Sequence, residues 1–362
     1  GLAQGNLRPA SAEETWARGF GDCKGKTALL LALLDGLGIA AEPALVSVKQ
    51  GDGLPDRLPG VTLFDHVIIR AIIAGQTYWL DPTRSGDTSL ASLPVPDFRW
   101  ALLLHPASER LVAIAVPPPA APTMVHDLRL DASRGLSLPA QVHATMELGG
   151  DIARTTYALL ARVPEAKWHA ALAAVWQRQY PYLVPTRLSH NWDEASQKLT
   201  LALDGTAQMD WNLNSARPHY AMHRAALGLE ASFTRQPGPD ADAPFALAWP
   251  DFTEHRETLI LPGPATAFRV EGQNINQTLA NRALYRRLTR RANVITMVAH
   301  TRPLAPELAY DAAQAAAEPL RQLAQTPVLI SVNARAYVLT AEEARMAGGR
   351  GHAQAGQVAL AR

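Results

Sequence analysis

The sequence predicts an α+β protein, and three observations carry that prediction. A leucine-rich run behind the only cysteine has helical spacing. Two strand-like segments face each other across Ala74-Gly75. Most of the remaining chain consists of short strand-like segments around a stretch, 151–179, that reads as one or two helices, with a further helix-like run over 310–324.

The helix comes first. In Phe20-Gly21-Asp22-Cys23-Lys24-Gly25-Lys26-Thr27 the cysteine opens an apolar run in which Leu29, Leu30, Leu33, Leu34 and Leu37 fall on one face, and Gly38 is a ready C-terminal cap. Being alone, Cys23 has no partner for an internal disulfide. At a helix N-terminus, the free backbone N–H groups and the nearby Lys24 and Lys26 favour a thiolate, which is the nucleophilic form.

The hairpin follows. Phe64-Asp65-His66-Val67-Ile68-Ile69-Arg70 and Gln76-Thr77-Tyr78-Trp79-Leu80-Asp81-Pro82-Thr83 read as two strands. A two-residue loop at Ala74-Gly75 sets Asp81 opposite Ile68, with His66 two residues along on the same face. A slip of one residue would put the two side chains on opposite faces. In this register the imidazole and the carboxylate meet, as a base and its orienting group must beside a thiol nucleophile.

These three motifs, in the order Cys, His, Asp, resemble the core of bacterial transglutaminase-like proteins. The likeness covers roughly 11–115, under a third of the chain. It implies a papain-like transglutaminase core, with the Cys helix packed on an antiparallel sheet. It makes Cys23 the nucleophile, His66 the general base and acid, and Asp81 the orienting residue. Asp22, Lys24, Asp65 and Trp79 flank the triad and are candidates to line the substrate cleft. The Cys23 N–H is the first candidate for an oxyanion donor. The resemblance also implies a periplasmic or cell-envelope setting, and a core whose N-terminal helices precede Gly1.

Two other motifs on the chain fail on spacing. Gly25-Lys26-Thr27 ends like a phosphate-binding loop, but the glycine required five positions earlier is Phe20. His219 and His223 stand four apart, yet no Glu follows His219 and no further cysteine completes a zinc site. They are expected to be a surface pair, and no cofactor or metal is expected.

Composition bounds the rest. With 362 residues and 48% hydrophobic content, the chain should hold two or three domains with real cores. It contains no apolar run long enough to span a membrane. A net charge of +1 argues against a dedicated nucleic-acid surface. Arg282, Arg286, Arg287, Arg290 and Arg291 form a local basic cluster, expected to be a solvated face.

The stiff segment Val116-Pro117-Pro118-Pro119-Ala120-Ala121-Pro122 divides the chain. The expected organisation is a core over 1–115, a linker over 116–122, and a mixed β domain with a helical insert over 123–235. A β-sandwich-like domain with a terminal helix follows over 245–330, then a tail over 331–362. The order of segments after 245 resembles the β-domain that follows the core in many of these bacterial proteins.

Two functions remain open. One is thiol-dependent acyl transfer or hydrolysis at a carboxamide or peptide bond of a protein or peptide substrate. The other is a catalytically silent binding or assembly module of the cell envelope, with a protein partner there. The three intact motifs favour the enzyme, and the large remainder of the chain keeps the module in view.

Overall fold

The computed structural model describes residues 8–49, 51–90, 93–212, 217–223, 227, 229 and 232–349. The fold is α+β, with strands predominating, and it divides into two compact units, Gly1–Pro117 and Pro118–Arg362. The division falls inside the proline-rich segment. No helix among the described residues is long and apolar enough to cross a membrane.

The first unit begins with α1 (Ala12–Arg18). Its N-cap is a capping box, in which the Ser11 hydroxyl accepts from the Glu14 N–H while the Glu14 carboxylate accepts from the Ser11 N–H. Helix α2 (Cys23–Gly36) ends in a Schellman turn. Gly38 sits at φ +71, its N–H donates to the Asp35 carbonyl, and the Ile39 N–H donates to the Leu34 carbonyl.

An antiparallel sheet follows, in the order β3-β2-β1-β4-β5. Its strands are β1 (Ala40–Val46), β2 (His66–Ile73), β3 (Gln76–Leu80), β4 (Trp100–Leu103) and β5 (Val112–Ala113). Pro43 hides β1 from a sequence reading, because proline is scarce in central strands. It is tolerated because β4 pairs only with Ala44 to Val46, and Pro43 needs to supply just a carbonyl, which accepts from the Leu104 N–H.

The two faces of this sheet carry separate cores. Helix α2 covers one, where Leu34 packs with Ile69 and Ala71. The other holds Ala44, Val46, Ile68, Trp79, Ala101 and Leu103, with Phe98 against them. The buried stripe of α2 runs through Cys23, Thr27 and Leu34, whereas Leu33 and Leu37 are exposed. The expected face is therefore rotated. A run as apolar as Thr27-Ala28-Leu29-Leu30-Leu31-Ala32-Leu33-Leu34 offers several equally greasy stripes, and only packing selects one.

The second unit is built on an eight-stranded sheet in the order β14-β15-β16-β12-β6-β7-β9-β8. Its strands are β6 (Met124–Asp131), β7 (Ala140–Leu148), β8 (Leu183–Asp193), β9 (Lys198–Ala207), β12 (Thr253–Ile260), β14 (Ile275–Leu279), β15 (Arg282–Arg291) and β16 (Val294–Pro303). Strand β12 runs parallel to β6, pairing Thr253 with Met124 and Ile260 with Asp131. The segments 123–235 and 245–330, read from sequence as separate domains, thus share one sheet. Period-two alternation shows that a strand exists without showing which strand it pairs with.

Helices α3 (Gly150–Leu160) and α4 (Trp168–Gln179) form the insert between β7 and β8, and Leu172 and Trp176 anchor α4 in the core. A smaller sheet of β10 (His219–Ala221), β18 (Leu329–Val332) and β13 (Phe268–Glu271) shares that core through Tyr220, Ile330 and Phe268. Strands β11 (Phe245–Ala246) and β17 (Glu307–Leu308) pair, and α5 (Tyr310–Ala324) buries Ala313, Ala316 and Leu320. Within the tail, α6 (Ala341–Gly349) is tied back by Glu343, whose carboxylate accepts from Ser137 and from the Tyr337 hydroxyl. Residues 350–362 lie outside the described residues.

The arginine cluster lies on β15, and two of its members act as staples. Arg286 is fully buried and donates to the carbonyls of Gln273 and Thr326. Arg290 donates to those of Phe268 and Ala292. Burial of Arg286 corrects the expectation of a solvated face, because alternation along β15 turns every second side chain inward. His219 and His223 are half-buried, and the His223 ring lies 5.0 Å from Tyr180.

Candidate active site

Hydrogen bonds fix the start of α2. Asp22 is the N-cap, and its carboxylate accepts from the Gly25 N–H at 2.9 Å. That amide, with Lys24 beside it, holds the Asp22 carboxyl below its ordinary value. Lys24 is buried, and its ammonium lies 3.1 Å from Asp22 Oδ2. Cys23 is the first helical residue, buried and free of disulfide.

The hairpin forms in the register expected from its loop. Ile73 pairs with Gln76 and Ile69 with Leu80, around Ala74 at φ +51 and Gly75 at φ +78. Both loop residues are left-handed, as a two-residue turn matching strand twist requires. His66 Nε2 lies 3.0 Å from Asp81 Oδ2. The other carboxylate oxygen accepts from the Thr83 N–H at 2.9 Å and the Thr83 hydroxyl at 2.6 Å.

Burial pushes the Asp81 carboxyl up, but the bonds from His66 and Thr83 outweigh it and leave the group below its ordinary value. Asp81 is therefore ionised at neutral pH and can only accept. The proton between the two groups sits on His66 Nε2, so in the neutral ring the lone pair is on Nδ1.

Thr27 ties the cysteine helix to the His strand. Its hydroxyl donates to the Cys23 carbonyl at 2.7 Å and lies 3.5 Å from the Val67 carbonyl, one residue beyond His66. Cys23 itself makes no side-chain hydrogen bond among the described residues. The structure thus joins His66 to Asp81 directly, and brings in Cys23 through the backbone.

The four flanking residues all have structural partners. Asp22 and Lys24 pair with each other. The Asp65 carboxylate accepts from the Val48 N–H at 2.8 Å, bracing the start of β2. Trp79 is buried in the core with Ile68 and Val46.

Sequence reasoning missed Thr27, Thr83 and Phe98. Thr83 follows Asp81 by two, the spacing at which an Asp side chain captures a backbone N–H, so the turn chemistry of Asp-Pro-Thr could have revealed it. Thr27 stands one helical turn after Cys23 on the same stripe. Phe98 packs against the His66 ring in a T-shaped pair with centroids 5.6 Å apart, and nothing periodic marks the irregular segment that carries it. Among the described residues no group of three His, Cys, Asp or Glu side chains could hold a metal ion.

No family model matches the chain, and no curated protein matches it. Among solved structures, a protein of Parabacteroides distasonis described as a candidate protease is similar at 11% identity and a TM-score of 0.42. The likeness covers 89% of this chain and 46% of that one, so the chain spans less than half of its length.

Proposed function

We propose that the first unit is a papain-like, transglutaminase-like domain performing thiol-dependent acyl transfer or hydrolysis on a protein or peptide. The observation that carries this reading is the His66–Asp81 contact, with Thr83 holding the far side of the carboxylate.

In this reading His66 Nδ1 takes the Cys23 proton, and the thiolate attacks a carboxamide or peptide carbonyl. The Gly25 and Lys26 amides are engaged by Asp22, which leaves the Cys23 N–H ahead of them as the assigned oxyanion donor. His66 then protonates the leaving amine, and water or a second amine resolves the acyl-thioester. Asp81 keeps the imidazole in its productive tautomer and steadies the imidazolium. The steps run on side chains and backbone alone. A cell-envelope setting belongs to the same proposal and rests on the sequence resemblance.

One observation favours the silent module: Cys23 is 6% exposed. The two readings separate in the pH dependence of iodoacetamide modification, which reports only Cys23. The enzyme reading expects fast modification near neutrality that slows when His66 becomes Ala. Slow modification indifferent to His66 would favour the module.

A further inference from the structure

Asp81 holds one nitrogen of His66 but leaves the ring free to swing about that bond, so a second restraint should exist on its face or edge. Phe98 occupies that place, its ring steeply inclined to the imidazole at 61° with centroids 5.6 Å apart. Its surroundings determine its position several times over. Arg99 adopts φ +63, a left-handed conformation that side-chain-bearing residues seldom take. The Arg99 guanidinium lies 2.7 Å from Asp52 and 3.3 Å from Asp97. The Phe98 carbonyl accepts from the Trp100 N–H at 2.7 Å, and the Arg99 carbonyl from the Ile114 N–H at 2.7 Å. Gly51 closes the packing, since a Cβ there would come within 2.6 Å of the Phe98 carbonyl oxygen.

The sheet carries this restraint to the site in register. Ala101 pairs with Val46, and Val46 pairs with His66. The start of β4 and the His66 backbone are thus locked at one level, and the Phe98–Arg99 turn leads directly into that level.

We infer that the Gly51–Asp52 loop and Arg99 form a clamp that seats Phe98 against His66, making Phe98, Arg99 and Asp52 positioning residues for the imidazole. The inference rests on the proposed role of His66 as the base. Phe98 limits the swing of the ring, and the Asp52–Arg99 ion pair stabilises the left-handed turn that aims Phe98. Left-handed backbone costs energy that a loose surface turn would relax, so its retention next to the imidazole fits a positioning role.

The test uses the full chain with isotope-labelled histidine, comparing wild type, Phe98→Leu, Arg99→Gly and Asp52→Asn. Glycine keeps the left-handed turn comfortable while removing the guanidinium, so Arg99→Gly isolates the ion pair from backbone strain. The His66 ring protons should show a ring-current displacement from the adjacent phenyl, lost in Phe98→Leu and reduced in Arg99→Gly and Asp52→Asn. The Cys23 alkylation rate near neutrality should fall about 2- to 10-fold in the same variants, the range of one edge-to-face aromatic contact. Unchanged His66 resonances in Arg99→Gly would overturn the clamp. A shifted resonance with an unchanged alkylation rate would overturn the positioning role. An alkylation rate that ignores His66→Ala in the parent would sink the proposed function instead, and the ring-proton shifts would still judge the clamp.

Discussion

The Thr83 hydroxyl donates to the Asp81 carboxylate at 2.6 Å, on the oxygen opposite the one that faces His66. The two bonds split the carboxylate between the Thr83 turn and the imidazole. Thr83→Val keeps the backbone N–H bond and loses the hydroxyl. It should cost about 1 kcal/mol of local stability, slow Cys23 alkylation several-fold, and raise the Asp81 carboxyl toward its ordinary value. Because the folded carboxyl is held low, its contribution is complete above about pH 4 and is lost as pH falls through the lower folded value. The loss of stability on acidification should therefore begin at higher pH in Thr83→Val, and the part due to this carboxyl should be absent in Asp81→Asn, read by urea unfolding across the acid range.

Thr27→Val tests the tie between the cysteine helix and the His strand. The change nearly preserves shape and removes the hydroxyl that spans the Cys23 and Val67 carbonyls. Loss of one buried hydrogen bond should lower protection of the α2 amides by about 1 kcal/mol, read by hydrogen exchange. Exchange identical to wild type would show that the tie contributes nothing.

Gly25 is the residue that makes the cysteine motif look like a phosphate loop, and the fold gives it a packing role. A Cβ at Gly25 would come within 2.8 Å of the Thr15 hydroxyl oxygen, and Thr15 is buried and bonded to the Ser11 carbonyl. Alanine improves helix propensity by up to about 1 kcal/mol, but overpacking costs about 1–3 kcal/mol. Gly25→Ala should therefore loosen α1, seen as faster proteolysis near residues 12–18, and Thr15→Ala in the same chain should restore resistance.

Glu257 should make stability depend on pH. It is fully enclosed in the second unit, accepting from the Tyr220 hydroxyl at 3.1 Å and the His223 N–H at 2.7 Å. Burial dominates those bonds and pushes its carboxyl up to about 8. The folded state then binds the proton more tightly than the unfolded state. Its stabilising contribution is complete below about pH 4 and declines as pH rises toward 8, by at most about 1.4 kcal/mol per pH unit. Glu257→Gln should flatten urea-unfolding stability of the full chain between pH 5 and 8. A wild type already flat over that interval would contradict the burial argument.

Local geometry was legible and pairing between distant segments was not. The hairpin register could be read because a two-residue loop leaves one alignment, and that alignment brings His66 to Asp81. The helix and its glycine stop were legible for the same local reason. The packed face of α2 was not, because its leucines surround the axis. Strand β1 was masked by Pro43, and β15 by its arginines, of which Arg286 proved to be interior.

By itself the sequence placed one thiol at a helix start and one imidazole within reach of one carboxylate across a hairpin. These depend on contacts within a few residues or across a single turn, where covalent geometry leaves few choices. Tertiary structure alone decided what surrounds them. Phe98 reaches His66 from beyond β3, Thr27 meets Val67 across the helix–sheet contact, and β12 joins β6 across more than 100 residues. Such contacts form because burying apolar surface repays the cost of closing long loops, and the energy of burial depends on the whole packed core rather than on any local pattern.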